Sequence, residues 1–379
     1  MRKPDRKLVL PDGTEYCGFA FGAPLSGVRI FELVFNTSMA GYQEILSDPS
    51  YTGQAVVMSW PLIGNYGLAE ADYESGSLTP GALIVREHNA RPSNFRSVCA
   101  LGEEMLRRDV PGLEGIDTRS LVRRLRNDGS MMAAIAPAEF PLKDILRVLR
   151  DARPRTDTVP SVSTKEPRRL GSGNARFHVA VIDCGVKENI LREMLRLGAE
   201  LTVLPWNTPA DEILALKPDG VFISNGPGDP ADVPETEEAL RGIIGKVPVF
   251  GICLGHQLIA RAMGASTYKL HFGHRGGNHP VKNLLTGKVE ITSQNHSFAV
   301  NESTLPGTGL TVTHRNLLDN TVEGLRCAEK RVFCVQYHPE SAPGPQDSKY
   351  LFREFFDLLE KSAPSAADAQ ERRNHAETH

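Results

Sequence analysis

No stretch of this chain is apolar for long enough to cross a bilayer or to form a signal-peptide core. The N-terminus, MRKPDRKLVLPDG, offers only Leu8-Val9-Leu10 as an apolar run, so the expected setting is cytoplasmic, with no membrane contact. Charge of one sign is lacking too. A net charge of -3 over 379 residues leaves no field to hold a polyanion, and nucleic acid is excluded as a partner. The paired arginines Arg123-Arg124 (with Arg126) and Arg168-Arg169 read as solvated faces rather than a phosphate-binding surface. Cysteine is sparse: Cys17, Cys99, Cys184, Cys253, Cys327 and Cys334 include no Cys-x-x-Cys pair and no Cys/His group at zinc-finger spacing. They read as reduced thiols, with no metal site among them. A Gly-x-x-x-x-Gly-Lys-Ser/Thr loop is missing as well, so this chain is expected to hold no cofactor, and any ATP must bind without such a loop or on another polypeptide.

What is present is the composition of a soluble globular protein, 40% apolar and 23% charged, in a chain long enough for two cores. Residues 152–175, ARPRTDTVPSVSTKEPRRLGSGNA, are rich in Pro, Ser, Thr, Arg and Gly without apolar periodicity and read as an interdomain linker. Before them, residues 1–151 carry short β-favouring runs such as Arg29 to Phe35 and Ala55 to Met58. A helix follows, beginning at Asp117-Thr118 and ending at Gly129. This is a small β-rich α+β domain. After the linker, 176–362 alternate apolar strands with amphipathic helices, the pattern of a parallel sheet covered on both faces and hence of an α/β domain. Shorter β-like runs follow, then a last helix from Lys349 to Leu359. Residues 363–379, polar and aperiodic, read as a disordered tail.

In VPVFGICLGHQLIA, Cys253 stands between Gly251 and Gly255, directly after an apolar strand and directly before a helix. A lone cysteine at a strand end is ordinarily an inert core thiol. The two glycines change that reading, because a nucleophile elbow is so tight that its neighbours cannot carry side chains. A thiol there meets the positive end of a helix, and the N–H of Leu254 can donate to an oxyanion. A thiol nucleophile also needs a base held by a third group. VFCVQYHPES supplies His338 and, two residues on, Glu340, with Pro339 stiffening the turn. Of the other histidines, His256 in the elbow helix reads as structural. His271, His274 and His279 in KLHFGHRGGNHP lack a carboxylate at usable spacing, and the segment reads as a glycine-rich packed loop. The loop SNGPGDP with Ala231 formally satisfies Gly-x-Gly-x-x-Ala, but its two prolines remove donors a pyrophosphate needs. It reads instead as backbone brought close to substrate, opposite the nucleophile.

Three motifs in this order, SNGPGDP, GICLGHQ and QYHPE, resemble those of the class I (triad) glutamine amidotransferases over residues 177 to about 360. The resemblance implies a flavodoxin-like mixed or parallel sheet flanked by helices, and a glutaminase in which Cys253 attacks the side-chain amide, His338 is base and acid, and Glu340 orients His338. FNTSMAGYQEILSDPSYTGQ, GIDTRSLVRRLR and VKENILR are similar to the small subunits of carbamoyl phosphate synthetases. That likeness implies L-glutamine contacts from Ser38, Gly226, Gly228, Leu254, Gln257, Asn295, Ser297 and Phe298. Position 297 departs from the glycine of the commoner form, QNHGFAV. The likeness further implies a large synthetase subunit as partner in a heterodimeric ligase. That partner would carry ATP and its metal, and would make carbamoyl phosphate from bicarbonate, ammonia and two ATP for arginine and pyrimidine synthesis.

Two other readings compete. A cysteine peptidase of the same fold would need an open cleft and no partner. A catalytically silent scaffold would have lost Cys253, His338 or Glu340, and all three are present.

Overall fold

The computed structural model describes residues 2–171 and 175–362. The tail expected over 363–379, and residues 172–174 of the expected linker, lie outside the described residues.

The first part of the chain closes into a barrel. Seven strands pair in the order Arg6–Val9, Glu15–Gly22, Pro111–Glu114, Ala82–Ile84, Gln54–Met58, Arg29–Asn36 and Met131–Pro137, and the last returns to the first. Alternate residues feed separate cores: Leu33, Val57, Ile84 and Leu113 share one cluster, while Val34, Val56 and Leu83 pack in another with Tyr42 and Leu46. The helix Thr118–Asp128 adds Leu121, Val122 and Leu125 to the first cluster. Its boundaries follow local chemistry. Asp117 caps the N-terminus by accepting from the Ser120 N–H at 3.0 Å, and Gly129 ends the helix at φ +91°.

The second part is a ten-stranded sheet. Five strands run parallel in the order Ala199–Pro205, Phe177–Asp183, Gly220–Ile223, Val249–Ile252 and Val332–Val335. Apolar clusters cover both faces, which is why these strands read as continuous hydrophobic runs. Beyond Val332–Val335 the sheet continues antiparallel through Val322–Cys327, Thr311–Asn316, Thr267–Asn283 and Val289–Val300. The segment expected as a glycine-rich packed loop is therefore strand. Register shifts between Lys269 and His274 and between Gly276 and His279 absorb its glycines while the pairing continues.

The expected linker also carries structure. Within 152–171, the helix Thr158–Val162 buries Val159 in the core of the second domain, and Arg168–Leu170 adds an antiparallel edge strand beside Ala199–Pro205. Among the described residues, no helix is long and apolar enough to cross a membrane.

Candidate active site

Three neighbouring parallel strands bring the three motifs together. Val249–Ile252 lies between Gly220–Ile223 and Val332–Val335, so the loops leaving their carboxyl ends meet: Cys253 from the middle strand, Ser224 to Gly228 from one neighbour, His338 and Glu340 from the other. This is where open α/β sheets bind ligands.

Cys253 occupies the N-cap of the helix Leu254–Ala262 with φ +55° and ψ -104°, a conformation that L residues rarely adopt. Its N–H is pinned to the Val335 carbonyl at 2.9 Å. A Cβ on Gly255 would lie 2.3 Å from the Ile223 carbonyl oxygen, and one on Gly251 2.8 Å from the carbonyl of Gly255, so neither position admits a side chain. The Cys253 thiol is buried and lies 3.6 Å from the Asn295 carbonyl oxygen. The Leu254 N–H heads the helix, where an amide has no intrahelical acceptor and is free for an oxyanion.

His338 is buried, and its Nδ1 is 2.7 Å from Glu340 Oε1. Its Nε2 has no hydrogen-bond partner. Burial alone pulls the imidazole pKa down, but the Glu340 charge and the Cys253 sulfur outweigh it and raise it to about 10. Glu340 is fully buried. Burial raises its pKa, yet Lys187 and His338 prevail and hold it at about 2. Lys187 makes this possible: its Nζ donates to Glu340 Oε1 at 2.9 Å and to the Ser341 carbonyl at 2.6 Å. Glu340, Lys187 and His338 thus form a buried, alternating-charge array whose outer atom, His338 Nε2, stands beside the thiol.

A cavity of about 820 Å³ opens next to Cys253 and is lined by Gly226, Gly228, Leu254, Gln257, Asn295, Ser297 and Phe298. The Gln257 amide nitrogen is held by the Phe298 carbonyl at 2.8 Å and Gln336 Oε1 at 3.0 Å. A Cβ on Gly226 would meet the Cys184 carbonyl at 2.2 Å and Leu254 at 2.8 Å, so the glycine lets this backbone approach the elbow. Ser38 is placed differently. It does not line this cavity but a narrow cleft of about 20 Å³ shared with Asn36, Asp48, Lys187, Asn295 and His338.

Several site residues were not singled out in the sequence. Asp48, from the barrel, accepts from Asn295 Nδ2 at 2.8 Å and, at 3.4 Å, from Asn225 Nδ2, which also donates to Ser50 Oγ at 3.0 Å. Arg275 lines the main cavity. His256 is fully buried with its Nδ1 3.2 Å from the Cys334 sulfur, and burial lowers its pKa to about 3, so it is a neutral core residue. The carboxylate missing from the His274 sequence context arrives from distant turns and strands. His274, His296 and Glu323 offer atoms within 4.8 Å of one another. Asp319 Oδ2 lies 2.8 Å from His274 Nε2. Burial would lower the His274 pKa, but the hydrogen bond to Asp319 and the Glu323 carboxylate 3.6 Å from Nδ1 raise it to about 9, and the group reads as an imidazolium between two carboxylates.

Residues 8–135 match the model of the carbamoyl-phosphate synthase small chain, CPSase domain, and residues 180–358 match that of the class-I glutamine amidotransferases. The chain is 48% identical over 356 residues to the carbamoyl phosphate synthase small chain of Staphylococcus epidermidis, covering 93% of this chain and 96% of the relative. The chain belongs to the carbamoyl phosphate synthase small chain family. The Bacillus cereus small chain is 50% identical over 355 residues, covering 94% of this chain and 96% of that one. The Fusobacterium nucleatum small chain is 48% identical over 359 residues, covering 94% and 99%. Membership extends across both domains, so the barrel is as much a part of the family as the amidotransferase sheet.

Proposed function

We propose that this chain is the glutaminase subunit of a glutamine-hydrolysing carbamoyl phosphate synthase, with Cys253 as its nucleophile. The observation that carries this reading is the thiol held on a strained elbow beside the His338–Glu340–Lys187 array, at the wall of a cavity that accommodates an amino acid. Glutamine enters with its side-chain amide against Cys253. Sγ, its proton held on His338 Nε2, forms a bond to the amide carbon. The oxyanion that results accepts from the Leu254 N–H. As the C–N bond breaks, His338 returns the proton to the leaving nitrogen and ammonia departs, leaving a γ-glutamyl thioester. Water, deprotonated by the same imidazole, cleaves the thioester to glutamate and free thiol. Glu340 remains ionised throughout and holds the ring by Nδ1.

Ammonia released into neutral water becomes ammonium and loses its nucleophilicity, which favours direct delivery to a large synthetase subunit. In this reading the large subunit holds ATP and its metal and joins ammonia to bicarbonate. The carbamoyl phosphate serves arginine and pyrimidine synthesis in the cytoplasm.

The test is glutamate release from glutamine by the purified chain, alongside a panel of peptides. Glutamine turnover that disappears in Cys253→Ser, with every peptide intact, supports the proposal. Peptide cleavage without glutamine turnover sinks it in favour of a peptidase. Iodoacetamide gives an independent check: glutamine should protect Cys253 from alkylation, and equal labelling with and without glutamine counts against the site.

A further inference from the structure

Arg275 is a buried cation in the glutamine cavity without a counterion. It is 3% exposed, and no carboxylate among the described residues lies within ion-pair distance of it. The carboxylate that acts on it, Glu32, is already engaged by Lys269 Nζ at 2.7 Å and Gln54 Nε2 at 2.9 Å. The guanidinium is nevertheless held firmly. Nη1 donates to the Phe272 carbonyl at 2.9 Å and Nη2 to Ser297 Oγ at 2.5 Å, while Nε is buried with no partner. Gly273, at φ +72°, makes room for it, since a Cβ there would lie 2.4 Å from Nη1. Both Arg275 and Ser297 line the cavity with Cys253 and Gln257.

An unpaired buried charge is costly, and such a charge on a cavity wall is retained where a ligand supplies the opposite one. Glutamine brings one anionic group, its α-carboxylate. The Cys253 sulfur also acts on Arg275, and the kcat arm of the experiment below separates that role from substrate binding. Resting on the glutaminase reading, we infer that Arg275 is a specificity-determining residue that pairs with the α-carboxylate of glutamine, and that the Ser297 hydroxyl is the positioning group that fixes its guanidinium. The serine that stands at position 297 in place of the commoner glycine is then one half of a Ser297–Arg275 pair.

The experiment compares L-glutamine with L-glutamine α-amide, which lacks the negative charge, on wild type, R275M, R275K and S297G. For glutamine, R275M should raise KM by about 10- to 100-fold, the worth of one charge-assisted contact, with kcat changed by less than about threefold. R275K should recover part of the loss, and S297G should raise KM several-fold. On the α-amide, wild type and variants should be alike. A kcat loss of equal size on both substrates assigns Arg275 to the thiol instead and overturns the inference, as does an unchanged preference for glutamine over its amide. Should R275M not fold, R275K and S297G carry the same comparison, and an unmoved preference in both is equally contrary. Wild type inert toward glutamine would instead strike the glutaminase reading, so the two failures are distinguishable.

Discussion

At the scale of single residues, the state of His338 is set by its neighbours against its burial. Glu340→Gln removes the charge that most strongly opposes burial in keeping the ring protonated. The variant should lose about 10²- to 10³-fold in kcat with a modest change in KM, read from initial rates of glutamate release. The same pair shapes stability. Glu340 titrates at about 2 in the fold against about 4.3 unfolded, so its contribution is present above the unfolded value and is lost as pH falls from about 4.3 toward 2. His338 titrates at about 10 against about 6.5, so its contribution is present below about 6.5 and is lost as pH rises toward 10. Urea melts across pH should show both limbs in wild type and flattened limbs in Glu340→Gln. Cys253, His338 and Glu340 were legible because each sits in a short motif whose spacing has a mechanical reason. Lys187, Asp48 and Arg275 were not: one charged residue before a helix, in a turn or in a strand looks like a solvated side chain until the fold supplies its partner. Ser38, named only through likeness, lines the small cleft that holds His338 and shares Asn295 with the main cavity.

At the scale of elements, alternating apolar strands and amphipathic helices announced the parallel sheet, and glycines announced the elbow. Gly255→Ala should cost at least about 2 kcal/mol and abolish glutamine turnover, because the new methyl group meets the Ile223 carbonyl with no room to retreat. Thermal denaturation and a glutaminase assay on the same sample check both halves. What the pattern hid was the long strand Thr267–Asn283, whose bulges break the two-residue alternation that identifies a strand. The helix Glu188–Arg196 hid a dependence on the other domain: the barrel's Glu74 accepts from the Asn189 N–H at 3.1 Å, and its own carbonyl accepts from the Glu188 N–H at 2.9 Å. Burial raises the Glu74 pKa to about 7 despite Lys187 nearby. Its neutral form is therefore the better folded one, and stability is lost as pH rises from about 4.3 through 7. Glu74→Gln should gain about 1–2 kcal/mol at pH 8 and little at pH 5, measured by chemical denaturation at the two values.

At the scale of the whole molecule, the barrel is built into the active site rather than appended to it. Asp48 ties the loop carrying Asn225 to Asn295 of the strand Val289–Val300, Thr37 Oγ1 donates to the Arg275 carbonyl at 3.1 Å, and Glu74 caps a helix of the sheet domain. Closure of the barrel could not be read from its strands, because short runs give no pairing order. The join between the domains likewise concealed a helix and an edge strand in polar, proline-containing sequence. The decisive measurement is glutamate release by wild type and Cys253→Ser, with and without a carbamoyl phosphate synthase large chain, ATP and bicarbonate. Turnover should need Cys253, rise with the large chain, and appear as carbamoyl phosphate in step with glutamate. Glutamine left untouched even with the large chain present would contradict the glutaminase reading.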